Sequence, residues 1–267
     1  MNLTSAYLLV SHGSRDPRPQ IALERLAYLT SQRLAIRGLE ISETKAQSAQ
    51  LNSSFASTAT LLRYQDQYWV KTATLECHDL PLHQQIIDAA CSAKAAGFSC
   101  LKIVPLFLLS GVHVQDDLPA QIAIAEQYLG QEMKLSLSPY LGSSVRLANL
   151  IAQQFNQYPT DGRIILAHGS RRSGGNDPIE QLAVQFNAIA CYWSVPPHLE
   201  TVINNFQSLH QSLYILPYFL FTGGITDAIA QQVGQLQQHY PQIQFKIGFP
   251  LGATPELAQV IIDLIHP

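Results

Sequence analysis

Charge is what this 267-residue chain has least of: Asp, Glu, Lys and Arg make up 13 % of it, about half the share of an average soluble domain. The 16 Lys and Arg against 19 Asp and Glu leave a net charge of -3 and no basic run. A phosphate backbone would find few cations to displace its counterions, so nucleic-acid binding is disfavoured. Long apolar runs are missing too. The longest, around Ile103–Leu109 and Leu213–Phe221, are each broken by a proline and fall far short of the roughly 20 residues of a membrane-spanning helix. Met1 to Val10 has no positively charged start and reads as a first β-strand rather than a signal peptide. The four cysteines, Cys77, Cys91, Cys100 and Cys191, contain no CxxC pair. That argues against a disulfide framework and for packing residues in a reduced, cytoplasmic protein. What the chain does have is apolar residues, 47 % of the total, and 27 Gln across its polar surface. A sizeable core follows, in one large domain or two smaller ones.

An internal repeat decides between those two. Ala6-Tyr7-Leu8-Leu9-Val10-Ser11-His12-Gly13-Ser14-Arg15 recurs as Arg163-Ile164-Ile165-Leu166-Ala167-His168-Gly169-Ser170-Arg171. Ile103-Val104-Pro105-Leu106-Phe107 recurs as Ile215-Leu216-Pro217-Tyr218-Phe219, and Tyr140-Leu141-Gly142 is echoed by Pro250-Leu251-Gly252. His12 lies 93 positions before Pro105, but His168 lies only 49 before Pro217, so the first copy carries 44 extra residues. The Ser- and Thr-rich stretch at about 38–70 accommodates them as a surface insertion, with a helical piece around Ala56–Tyr64.

Within each copy, apolar strands alternate with helical patterns. The periodicity predicts strands at 6–10, 71–75, 101–108 and 133–138, then 163–167, 188–192, 213–219 and 243–247. First-copy helices are predicted at 17–36, 82–96, 116–129 and 143–156. Regular succession of strand, helix and strand means right-handed crossovers and a parallel sheet covered on both faces. The fold class is therefore α/β: two tandem Rossmann-like domains, each a parallel four-stranded sheet flanked by helices. Their expected limits are residues 1–157, with the insertion, and 158–267.

Ligands of such sheets bind beyond the carboxyl ends of the strands. That rule selects Ser11-His12-Gly13-Ser14-Arg15, then Glu76-Cys77-His78-Asp79, then Gly111-Val112-His113 with Asp116 and Asp117. His12, Glu76 and His113 are thereby expected on one edge. Two imidazoles and a carboxylate suit a transition metal or proton transfer. Ser11, Gly13, Ser14 and Gly111 would allow close approach of a planar or anionic ligand, with local positive charge from Arg15 and Arg18. Asp116 and Asp117 read as caps of the following helix. His78, His83, His198, His210, His239 and His266 read as surface residues. Aligning Pro105 with Pro217 puts Ile225 in the place of His113, and aligning Pro81 with Pro197 puts Tyr192 in the place of Glu76. The second copy then reads as a degenerate one that shapes or lids the cleft, and His168→Ala should reduce activity only mildly.

Together the Ser-His-Gly-Ser-Arg turn, Leu75-Glu76, and Gly111-Val112-His113 leading to Asp117-Leu118-Pro119 resemble the sirohydrochlorin chelatases, the class II tetrapyrrole chelatases, in their long, fused form. The resemblance covers nearly the whole chain outside the insertion. It implies ATP-independent insertion of Co2+ or Fe2+, with Ni2+ a further candidate, into sirohydrochlorin for cobalamin or siroheme biosynthesis. It implies no organic cofactor, and His12 and His113 as a metal-binding, proton-accepting pair assisted by Glu76. The substrate brings its own carboxylates, for which Arg15 is the first candidate contact. A monomer or a homodimer fits equally. Two other readings share these residues. One is a non-catalytic metal or tetrapyrrole carrier; the other is a histidine-nucleophile phosphatase, disfavoured because Ser11 and Ala167 stand where that chemistry wants Arg.

Overall fold

The computed structural model describes residues 5–47, 68–206 and 212–266, with side chains described for all of these except 39–47. Two four-stranded parallel sheets organise it. The first contains β1 (Ser5–Ser11), β2 (Val70–Thr74), β3 (Cys100–Pro105) and β4 (Lys134–Leu137), in the order β2-β1-β3-β4. The second contains β5 (Gly162–Ala167), β6 (Ile189–Tyr192), β7 (Ser212–Tyr218) and β8 (Gln244–Ile247), in the matching order β6-β5-β7-β8. The α/β class and the paired parallel sheets are thus as the sequence implies. The predicted helical piece at Ala56–Tyr64 lies outside the described residues. Residues 38–47, expected to open the insertion, instead prolong helix α1 (Pro17–Gln47).

The remaining helices are α2 (Leu82–Ala95), α3 (Leu118–Leu129), α4 (Leu147–Gln157), α5 (Asp177–Gln185), α6 (Leu199–Phe206), α7 (Gly224–His239) and α8 (Pro255–Ile265). Successive side chains of a strand point to opposite faces, and β1 shows where each goes. Ala6, Leu8 and Val10 pack under α2 and α3, whereas Tyr7 and Leu9 enter a central core. In β5, Ile164 and Leu166 pack under α6 and α7, while Ile165 and Ala167 enter that same central core. Helices α1, α4, α5 and α8 fill the space between the sheets, giving five layers, α/β/α/β/α. Both halves therefore share the central layer. Tyr7 Oη bonds His266 Nε2 at 3.0 Å, and Lys102 Nζ donates to the Ile265 carbonyl at 2.8 Å, tying the last helix to the first sheet.

Two of the four cysteines, Cys100 and Cys191, are buried, and burial pushes the Cys191 thiol up to about 12. Cys77 and Cys91 are exposed, which corrects their assignment as packing residues. All four are free thiols.

Candidate metal centre

The strand order reverses direction between β1 and β3, because the chain steps one way from β1 to β2 and then crosses over to β3 on the other side. Such a reversal leaves an open crevice beyond the strand ends. His12 emerges from β1, His113 follows β3, and Glu76 follows β2 on the flank. One ligand atom from each of the three lies within 4.8 Å of the others. The sequence rule placed these residues on one edge, and the fold brings their side chains into a single cluster.

Backbone geometry explains how. β1 and β2 stay in register past their ends, with Leu75 N donating to the Ser11 carbonyl at 2.9 Å and Glu76 N to the His12 carbonyl at 2.8 Å. Gly13 makes that approach possible. Its φ is +96°, and a Cβ there would sit 2.0 Å from the Glu76 carbonyl oxygen, so no L side chain fits without moving Glu76. The need for glycine at this position thus comes from the protein's own backbone. Cys77, with φ 58°, holds the left-handed conformation directly after Glu76, and non-glycine residues in that region concentrate at functional turns.

The two imidazoles are oriented individually. His113 opens a π-helical turn, His113–Asp117, and its Nδ1–H donates to Asp117 Oδ2 at 2.7 Å. This leaves the Nε2 lone pair of His113 free to point at His12, whose Nε2 is 3.1 Å away. His12 Nδ1 faces the Gly13 carbonyl at 3.3 Å, an atom that can only accept. With a proton on each Nδ1, both Nε2 lone pairs face one gap, which a proton or a cation must occupy. Metal–nitrogen bonds of about 2.1 Å would subtend about 95° across the 3.1 Å separation, the angle of adjacent ligands on one ion. Glu76, itself exposed, offers a third donor atom through a carboxyl oxygen.

Asp117 is the residue that sequence reasoning misassigned. It stands at the head of α3 but makes no side-chain cap; it orients His113 instead. The i, i+4 spacing of His113 and Asp117 on a helical turn carried that signal, and a carboxylate behind an imidazole is the usual support of a ligand histidine. Asp116 is no cap either, facing Arg172 Nη1 at 3.8 Å from the second half. Arg18 is not free for a ligand: Asp16 and Asp227 both bind it, at 2.5 and 2.6 Å. Arg15 stays exposed. Ser14 Oγ accepts from Asp16 N at 3.1 Å, Ser11 is buried at the end of β1, and a Cβ at Gly111 would meet nothing within 4 Å.

The second half repeats the turn with different residues. Trp193 N bonds the Ala167 carbonyl and Ser194 N the His168 carbonyl, both at 2.9 Å. Ser194 is therefore the counterpart of Glu76. Tyr192 corresponds to Thr74, because Ala167 pairs with Tyr192 as Ser11 pairs with Thr74. The alignment through Pro81 and Pro197 was two residues out, since the loops after β2 and β6 differ in length. Val10–Pro105 and Leu166–Pro217 are equivalent pairs, so Ile225 does replace His113. His78, His198 and His239 each hold a hydrogen bond to a nearby stretch of backbone, His83 bonds Gln121, His266 bonds Tyr7, and His210 lies outside the described residues.

Fold and site together define a parallel-sheet protein of the chelatase type, duplicated within one chain and carrying a complete His/Glu/His cluster in one half. The CbiX family model matches residues 46–158 and again 162–266. The chain belongs to the CbiX family. The first match begins after β1, so His12 lies outside it, and the double match recovers the internal repeat. SirB from Bacillus subtilis with Fe3+ is 18 % identical with a TM-score of 0.69, over 99 % of this chain and 95 % of that one. SirB from Bacillus subtilis subspecies spizizenii in complex with cobalt is 17 % identical with a TM-score of 0.66, over 99 % and 94 %. A sirohydrochlorin ferrochelatase of Priestia megaterium is 24 % identical over 179 residues, 62 % of this chain and 66 % of the relative. The chain thus spans just under two thirds of that curated relative's length.

Proposed function

We propose that this protein inserts a divalent metal ion, Co2+ or Fe2+, into sirohydrochlorin without ATP, serving siroheme or cobalamin biosynthesis. The observation that carries this reading is the meeting of His12, Glu76 and His113 within 4.8 Å at the crevice of the first sheet. Metallation must strip water from the ion, hold the macrocycle still and remove two pyrrole protons. Two imidazoles aimed at one gap, with a carboxylate beside them, serve the first need, and an open crevice admits a large planar substrate. A mixed nitrogen and oxygen donor set accepts Fe2+, Co2+ and Ni2+ alike, so availability decides which is used.

The macrocycle's carboxylates need cations that the protein has in short supply. With Arg18 held by Asp16 and Asp227, Arg15 is the exposed cation beside the His12 turn. Ser14 and the open space at Gly111 leave room for the ring's edge.

The test is reconstitution from purified protein, sirohydrochlorin and Co2+ or Fe2+, followed by absorption spectroscopy. Many product molecules per protein are expected, and His113→Ala should abolish them. Uptake of one equivalent without turnover would make the protein a carrier, and unchanged turnover in His113→Ala would refute the site.

A further inference from the structure

Replacing two pyrrole protons by one metal ion breaks two N–H bonds and forms metal–nitrogen bonds. Two protons must go to acceptors, and no electrons are exchanged. In the centre described above, both histidines lack a free acceptor once the ion is bound. His113 commits Nδ1 to Asp117 and Nε2 to the metal, and His12 faces the Gly13 carbonyl through Nδ1 and the metal through Nε2. A base must come from elsewhere.

The second half supplies one. His168 ends β5 as His12 ends β1, and the loops flanking it reach the first half's site. Arg172, four residues on, lies 3.8 Å from Asp116 in the turn that carries His113. On the other side Asp227 binds Arg18, and a Cβ at Gly223 would sit 3.4 Å from Pro19. These contacts bring the loops that follow β5 and β7 against the loops that follow β1 and β3, and His168 stands where the first of them begins. His168 is not part of the cluster whose donor atoms lie within 4.8 Å of one another. It is also the one histidine among the described residues whose ring makes no hydrogen bond, since His12, His78, His83, His113, His198, His239 and His266 each make one.

We propose that His168 is the base that takes a pyrrole proton during metal insertion at the His12, Glu76 and His113 centre, a role that rests on the chelatase reading. One N–H proton passes to the free imidazole nitrogen of His168 and on to solvent. Once the ring has released that proton, the second leaves by the same route. Partial desolvation holds the His168 pKa below the ordinary histidine value, which favours the neutral ring that can accept. The second half is then a catalytic partner and not only a lid, and the mild effect expected of His168→Ala becomes a large one.

The decisive variant is His168→Asn in the full-length protein, assayed for Co2+ binding by its visible absorption and for insertion into sirohydrochlorin. Expected are Co2+ affinity and KM within twofold of wild type, a kcat lower by about 100-fold, and recovery of rate with added imidazole. A kcat within threefold of wild type overturns the role. So does loss of Co2+ binding, which would make His168 a ligand, and so does a slow variant that imidazole fails to rescue. A wild-type protein that binds Co2+ and sirohydrochlorin but never joins them overturns the chelatase reading and this role together.

Discussion

If the proposed centre binds a metal, its affinity will depend on side chains that never touch the ion. Asp117 fixes the tautomer and tilt of His113 through a 2.7 Å hydrogen bond, and loss of such a support typically weakens metal binding by about 10–100-fold. Asp117→Asn should therefore lower Co2+ affinity by that factor in an absorption titration while leaving the urea unfolding midpoint nearly unchanged. Gly13 works through the backbone. Gly13→Ala forces a Cβ into the Glu76 carbonyl, 2.0 Å away, at a φ of +96°. A destabilisation of about 1–3 kcal/mol is expected, together with weaker Co2+ binding because Glu76 must shift; urea denaturation and the same titration measure the two. At this scale the sequence was informative about which residues meet and poor about how they are held. His12, Glu76 and His113 follow strands, so one topological rule finds all three. Asp117 also stands at a helix start, where local rules favour a cap, and only the direction of its side chain shows that His113 has claimed it.

Strand and helix assignments followed from burial alternation, because each strand is covered on both faces and the helices between them are long. The exceptions arise where a local pattern is silent about neighbours. Helix α1 runs on to Gln47 through a stretch whose composition reads as a surface insertion. The Tyr192 alignment slipped by two residues because proline landmarks in loops do not track strand register, whereas hydrogen bonds do. Phe155 of α4 shows what the central layer contributes. It is 1 % exposed and packs at a tilt against Phe186 and edge-on against Tyr214, with rings 5.7 Å apart in both pairs. Phe155→Ala should cost about 3–5 kcal/mol. Because the layer is shared, we expect both halves to feel the loss. Trp69 packs beside the first sheet and Trp193 beside the second. Fluorescence of single-tryptophan variants should shift to the same lower urea midpoint; a shift at Trp193 alone would show that the halves unfold separately.

The whole molecule is joined where its ends meet. His266 bonds Tyr7, and burial, reinforced by the positive charges of Arg37 and Lys102, lowers its pKa. The folded protein then binds fewer protons near pH 6 than the unfolded chain, so stability rises with pH across the interval from the lowered value up to about 6.5 and falls on acidification through it. His168, lowered by desolvation and by His12, acts in the same sense. Urea midpoints should drop between pH 7.5 and 5.5, and His266→Gln should flatten that dependence. The bridge from Arg18 to Asp16 behaves differently. Arg18 holds the Asp16 carboxyl down to about 2, so its contribution is full above the ordinary carboxylate range and is lost as pH falls from there toward 2; being exposed, it is also screened by salt.

By itself the sequence determined the duplicated α/β architecture, the absence of a spanning helix and the three residues of the candidate centre. Each of these follows from a pattern within a strand, a helix or a repeat, where neighbours along the chain are neighbours in space. The tertiary structure decided what lies across the crevice. Arg18 meets Asp227 from 209 positions away, and Arg172 meets Asp116. No local pattern encodes these pairings, because they depend on how two sheets stack on a shared layer of helices. The scarcity of charge takes its meaning from that stacking: of the few arginines beside the crevice, Arg18 and Arg172 span the two halves, and Arg15 stays exposed.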